Sequence, residues 1–159
     1  VLIDACATMG DLDKLEKAVL EMENCKVVPN AITVTSIMKG YSKPGKRNDA
    51  VKYARELSGK YNIRWDVKAY TSAIKACGAS GDLSGMERLY SEMTESAGVQ
   101  PNLICYTTLI HGFAKAGDCK NAVRFFLEME SRGIEADSHA LSVLMHAFAK
   151  VGDVQGALK

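Results

Sequence analysis

Apolar residues along this chain return at the spacing of one face of an α-helix, and they do so in paired segments. Tyr106, Leu109, Ile110 and Phe113 stand at i, i+3, i+4 and i+7, and Ala122, Phe125, Phe126 and Met129 repeat that spacing one segment later. Between them, Ala116-Gly117-Asp118 offers a glycine able to end one helix in the left-handed conformation and an aspartate suited to cap the next. The pattern predicts a helical hairpin over 103–137.

The same hairpin recurs throughout the chain. First helices are predicted around Val34, Ile37, Met38 and Tyr41; around Tyr70, Ala73, Ile74 and Cys77; and around Leu141, Leu144, Met145 and Phe148. Second helices are predicted around Leu15, Ala18, Val19 and Met22; around Ala50, Tyr53, Ala54 and Leu57; and around Met86, Leu89, Tyr90 and Met93. Pro29-Asn30, Trp65-Asp66, Pro101-Asn102 and Ala136-Asp137 close successive units at steps of 36, 36 and 35 residues. The units are therefore 31–66, 67–102 and 103–137, with a first unit over 1–30 lacking about five residues and a last one over 138–159 cut in its second helix. Glycine recurs at Gly10, Gly45, Gly81, Gly117 and Gly152, followed by Asp in all but the second case. Such periodicity predicts an all-α array of stacked antiparallel helix pairs with one continuous core, in which no pair buries its apolar face alone. The extra residue of the two longer units falls near Tyr61-Asn62 and Ser96-Ala97, after the second helix, with Asn62 and Gly98 as left-handed terminators; Pro44 ends the helix before it.

Composition narrows the function classes. The chain has 159 residues, 47% apolar and 25% charged, with no apolar run near the roughly 18 residues that span a bilayer. Five cysteines form no C-x-x-C pair, and the odd count fits a reducing compartment; Cys6 and Cys77 fall on apolar faces as small core residues. No leader segment is visible, and both ends fall inside helix patterns, as expected of a piece of a longer array.

The net charge of +1 gives no global attraction to a polyanion, so the distribution of charge decides. Opposite the apolar face, each first helix carries a polar stripe at i, i+4, i+8: Thr35, Lys39, Lys43; Thr71, Lys75, Ala79; Thr107, His111, Lys115; and Ser142, His146, Lys150. Asp4 is the only acid within first helices, whereas Glu16, Glu21, Glu23, Glu56, Glu87, Glu92, Glu128 and Glu130 fall on or near second helices. The expectation is a basic trough lined by first helices and an acidic back, a shape suited to a polyanion or to an acidic peptide. Each lysine or threonine alone is also what a solvated helix face shows.

Three further features identify a resemblance. The run Y-T-T-L-I-H-G-F-A-K-A-G-D at Tyr106–Asp118, the run A-V-x-F-F-L-E-M at Ala122–Met129, and the closing P-N or A-D resemble pentatricopeptide repeat proteins, the organellar RNA-binding solenoids of plants and other eukaryotes. Tetratricopeptide repeats differ, with a 34-residue period and a Trp-Leu-Gly-Tyr pattern absent here. The resemblance covers the whole chain and implies a right-handed superhelical solenoid that binds single-stranded RNA, one base per repeat. It implies base reading by the fifth and last residues of a unit: Thr35 with Asp66, Thr71 with Asn102, Thr107 with Asp137, and Ser142 in the last unit. Thr with Asp implies guanine and Thr with Asn adenine, so the implied core is 5′-GAG-3′ followed by a purine, running 5′ to 3′ from N- to C-terminus. The second residue of a unit packs on the base: Ile32 and Ile104 fit, while Lys68 and His139 depart from the aliphatic pattern. Lys39, Lys43, Lys75, His111, Lys115, His146 and Lys150 are the candidate phosphate and groove contacts. Asp66, Asn102 and Asp137 are equally the residue types that cap a following helix.

No catalytic constellation stands out. The three histidines lie in adjoining units without zinc spacing, no glycine-rich loop follows a strand, and no cofactor is implied. Three roles remain open: an RNA binder acting by occupancy in processing, stabilisation, splicing or translation, with protein partners recruited to the RNA; a peptide-binding scaffold; or the targeting arm of an RNA-processing enzyme whose catalytic domain lies outside these residues. An organellar setting, chloroplast or mitochondrion, follows from the resemblance alone.

Overall fold

The computed structural model describes residues 12–40 and 47–151, and every regular element among them is helical. In chain order these are α1 (Leu12–Asn24), α2 (Ala31–Gly40), α3 (Arg47–Tyr61), α4 (Val67–Ser80), α5 (Leu83–Ser91, continued by a π-turn at Glu92–Ser96), α6 (Leu103–Ala116), α7 (Cys119–Ser131) and α8 (Ser138–Val151). The features expected at Asp4, Cys6, Gly10, Tyr41, Lys43, Pro44, Gly45 and Gly152, and the side chains of Phe148 and Lys150, lie outside the described residues. Among the described residues no helix is long and apolar enough to cross a membrane.

Helix boundaries follow the local chemistry. Before α4, α6 and α8 the side chains of Asp66, Asn102 and Asp137 accept from Ala69 N (2.8 Å), Cys105 N (3.0 Å) and Ala140 N (2.8 Å). Asp82 and Asp118 do the same for α5 and α7. The turn between first and second helices is closed by Gly81 and Gly117, with φ of 78° and 83°, where a side chain would be strained. After the second helices a left-handed residue also returns in register, at Lys26, Asn62, Gly98 and Gly133. The extra residue expected near Ser96-Ala97 is taken up before the loop: Ala97 N–H donates to Glu92 O at 2.8 Å, an i to i−5 bond that widens the last turn of α5 into a π-turn.

First helices α2, α4, α6 and α8 pack directly on one another, while each second helix packs on its own first helix and on the next one. A stack tied more closely along one layer than the other curves around that layer, so the first helices line the inner side. The fold is an all-α, right-handed superhelical solenoid of stacked antiparallel helix pairs. Its core divides into two clusters where one was expected. The larger runs from Val34 to Leu144 through Tyr70, Ile74, Met86, Tyr106, Phe113 and Phe125, and the smaller joins Leu15, Val19, Ile37, Ala50 and Leu57. α2 feeds both, with Val34 and Met38 in one and Ile37 in the other. Leu141 and Met145, expected in the core, are 46% and 61% exposed. They occupy the positions that Tyr106 and Ile110 hold on α6, which α7 helps to cover, and residues 152–159 that follow α8 lie outside the described residues.

Where α4 meets α6, the two first helices approach closely at Gly78 and Gly112. A Cβ added to Gly112 would lie 2.3 Å from Met86 Cε and 3.6 Å from Gly78 Cα, so the two glycines leave the space through which the buried Met86 passes. Across the hairpin, carboxylates latch the tyrosines of the core. Tyr106 donates to Glu128 at 3.2 Å, the Tyr90 hydroxyl of the preceding pair reaches the same oxygen, and the two hydroxyl oxygens are 2.9 Å apart. One pair earlier, Glu92 accepts from Tyr70 at 3.2 Å and from Arg55 of α3. Burial, then the bond to Glu128, pushes the Tyr90 hydroxyl far above the usual phenol range, which keeps it a donor. In Glu128→Ala the two tyrosines can still bond each other, so one buried O–H is orphaned, and thermal or urea unfolding should show a loss of about 1–3 kcal/mol.

Candidate nucleic-acid interface

The inner face is built from the first turn of each first helix and the residue that caps it. Thr35, Thr71 and Thr107 lie one turn into α2, α4 and α6, where their hydroxyls donate to the carbonyls of Ala31 (2.9 Å), Val67 (2.6 Å) and Leu103 (2.8 Å). With the proton committed, each Oγ1 is left as an acceptor; Thr107 is buried and Thr35 and Thr71 are half-buried. Asp66, Asn102 and Asp137 use Oδ1 for the helix cap, and among the described residues Asp66 Oδ2, Asn102 Nδ2 and Asp137 Oδ2 make no hydrogen bond. Capping therefore fixes the side chain while leaving its second polar atom free.

Between α6 and α8 these parts converge. Thr107, Asp137, Ile104 and His139 line one open cavity of about 350 Å³, joined by Lys75 from α4, His111, Leu103 and Thr108. The candidate reading pair, two candidate base-packing residues and two groove residues are thus brought together. A neighbouring cavity of about 460 Å³ continues along the groove past His111, Lys115, His139, Ser142 and His146. Ile104 is 66% exposed and Ile32, at the same position of α2, is 75% exposed, an unusual fate for isoleucine in a fold with an apolar core nearby. Lys68 and His139 are also exposed at that position of their helices. Lys39, Lys75, His111, Lys115 and His146 are exposed along the same layer, and Ser142 with them. Burial, then the charges of Lys115, His139 and Lys75, lowers the pKa of His111 from its ordinary value, so it is neutral near pH 7.

The charge of the two layers differs from expectation on one side. Described first helices carry Lys39, Lys68, Lys75 and Lys115 and no carboxylate, so the inner layer is basic. The outer layer is mixed rather than acidic, because lysines and arginines share it with the glutamates, and three of those glutamates meet cations of the adjoining pair. Glu23 meets Lys60 at 2.9 Å, Glu92 meets Arg55 at 2.5 Å, and Glu87 meets Arg124 at 2.6 Å. All three pairs are 37 residues apart in sequence and tie second helices of consecutive units. Trp65 was legible only as a unit boundary. Its ring lies under the Arg55 guanidinium at 5.3 Å, against the edge of Tyr70 at 5.2 Å, and its Nε1 donates to Ser58 at 2.7 Å.

With this architecture established, similarity to known proteins is informative. Residues 66–115 and 101–150 match the PPR repeat family, and residues 1–44 match the pentatricopeptide repeat domain. The pentatricopeptide repeat-containing protein At3g09650, chloroplastic, from Arabidopsis thaliana is 33% identical over 80% of this chain, which spans 16% of that relative. The crystal structure of maize PPR10 superposes with a TM-score of 0.87 over 99% of this chain and 22% of its own, at 22% identity. PPR10 in complex with an 18-nt psaJ RNA element superposes at 0.82 over 96% of this chain and 22% of its own, at 24% identity. The chain belongs to the pentatricopeptide repeat family.

Proposed function

We propose that the groove of first helices binds single-stranded RNA, one nucleotide per helix pair, with the repeats bounded at 31–66, 67–102 and 103–137 and partial repeats on either side. The observation that carries the reading is the cavity in which exposed Ile104 and His139 flank Thr107 and Asp137 beside Lys75 and His111. A flat base fits between the two flanking side chains, while the polar pair addresses its edge and the cations its phosphate. A carboxylate oxygen and a threonine oxygen, both acceptors, suit the N–H groups of guanine at the Thr35–Asp66 and Thr107–Asp137 sites. The free amide of Asn102 can donate to a ring nitrogen of adenine while Thr71 Oγ1 accepts. The preferred core is then 5′-GAG-3′ followed by a purine at Ser142. Solved relatives support this: PPR10 is seen with an 18-nt psaJ RNA element and the PPR domain of protein-only RNase P 1 with tRNA.

The function is occupancy of a transcript, in processing, stabilisation, splicing or translation, with any catalysis supplied by a recruited protein or a further domain. Four of the Arabidopsis relatives bear chloroplastic in their names, which supports an organellar setting. Titration of labelled RNA at several salt concentrations tests the reading. Three to five phosphate contacts give a log K against log salt slope of about −2 to −3.5, at roughly −0.7 per contact for single strands. No RNA binding, or a flat salt response with affinity for an acidic peptide, makes the groove a peptide scaffold instead.

A further inference from the structure

Three histidines that are scattered in sequence meet in the groove. His111 of α6 and His139 and His146 of α8 line one cavity of about 460 Å³ with Lys115 and Ser142. One helical position explains part of this: Lys39 on α2 and Lys75 on α4 are followed, at the same place on α6 and α8, by His111 and His146. The N-terminal half of the groove therefore carries lysines at this position, and the C-terminal half carries imidazoles. The charged groups facing the cluster are Lys75 from α4, Lys115 on α6 and Asp137 at the N-cap of α8, whose Oδ1 is held by Ala140 N. Among the described residues no group of His, Cys, Asp or Glu is placed to hold a metal, so the imidazoles are not a ligand set.

We propose that the pocket between α6 and α8 is a proton-linked phosphodiester subsite: RNA entering it draws a proton onto His111, so the 3′ part of the bound strand is gripped more firmly as the pH falls. This rests on the RNA reading. In the free protein burial, and after it the charges of Lys115, His139 and Lys75, opposes charging of His111, as its lowered pKa reflects. An entering phosphate reverses that balance by placing an anion among them, and the linked uptake of protons makes affinity rise as pH drops. Stability of the free protein runs the other way. The contribution of a histidine with a depressed folded pKa is fully present above its unfolded value and is lost as pH falls through the folded one.

The experiment is a titration of the chain with a short labelled RNA carrying 5′-GAGA-3′ in a uridine context, at about pH 8 and about pH 6. The expected result is severalfold tighter binding at the lower pH, about three- to sixfold for a one-unit shift of His111, with a salt slope steeper by roughly 0.7 for the imidazole charged. The variant His111→Gln should lose the pH dependence of affinity, and His111→Lys should bind tightly at both values. Thermal melts of the free variants separate folding from binding. Wild-type RNA binding without pH dependence, or a pH response that survives undiminished in His111→Gln, overturns the inference alone. Absence of RNA binding at either pH removes the RNA reading and this inference with it.

Discussion

Replacing Phe125 by alanine should lower the free energy of unfolding by about 3–5 kcal/mol, a loss of the size expected for a fully buried aromatic ring. The ring is 1% exposed and stands where three helices meet. It stacks on Phe113 of α6 at 5.3 Å between centroids and meets the edge of Tyr90, from the preceding pair, at 5.1 Å. Arg124 lies over it, with the guanidinium 4.6 Å from the ring centroid, and its head is held by Glu87. Tyr90 is held by Glu128 and cannot swing in without giving up that bond. Urea unfolding should show a lower midpoint with an unchanged slope. Phe126→Ala is the built-in comparison. Sequence periodicity treats the two rings alike, but consecutive residues on a helix point about 100° apart, and Phe126 is only half-buried at the edge of the cluster. It should lose less than half as much. A loss at Phe125 of about 1 kcal/mol or less would mean that neighbouring pairs collapse into the gap and that the stack is softer than its packing indicates.

The comparison of these two rings shows what kind of information the sequence carried. Helices and their order were legible because amphipathic spacing is a local property, and the Gly117-Asp118 turn was legible because the glycine and the aspartate each have a conformational reason to be there. Asn62 and Gly98 were legible on the same grounds, whereas Lys26 adopts the same left-handed geometry with no chemical preference to announce it. The π-turn was half legible: the unit length required one extra residue, but whether a helix widens or a loop lengthens depends on keeping Met93 buried and Glu92 within reach of Tyr70 and Arg55. The ion pairs between second helices were not legible at all. Their partners lie 37 residues apart, one residue beyond the unit length, and that offset is set by the pitch of the stack rather than by any local pattern. The outer layer looked acidic when its glutamates alone were weighed; Lys52, Arg55, Lys60, Arg88, Lys120 and Arg124 stand on the same helices and make it mixed. Each such exposed pair is worth about 0–1 kcal/mol, so the ladder governs surface charge more than stability. On the inner face the residue types were legible, but not the back-bond from each threonine hydroxyl that fixes it as an acceptor.

Asn102→Asp should turn the base preferred at the middle site from adenine to guanine while leaving the fold as stable as before. The argument separates the two atoms of the side chain. Oδ1 accepts from Cys105 N at 3.0 Å and starts α6, and aspartate performs that capping as well as asparagine does, with a favourable charge at the positive end of the helix. Only the other atom changes, from a donor to an acceptor, and in the proposed geometry that atom faces the base. Paired with Thr71, whose hydroxyl proton is held by Val67 O at 2.6 Å, the site then offers acceptors alone, the arrangement of Thr35 with Asp66 and Thr107 with Asp137. A well-made pair of hydrogen bonds discriminates between bases by about 1–3 kcal/mol, and the substitution both removes one such pair and creates another. The ratio of affinities for 5′-GAG-3′ and 5′-GGG-3′ should therefore invert, a swing of roughly 2–6 kcal/mol read from two RNA titrations on each protein. Thermal melts decide what the residue is. An unchanged melting temperature with an inverted preference assigns Asn102 to base reading; a lowered melting temperature with an unchanged preference makes it a helix cap and nothing more, and the same conclusion would extend to Asp66 and Asp137, which hold the same position in the neighbouring pairs.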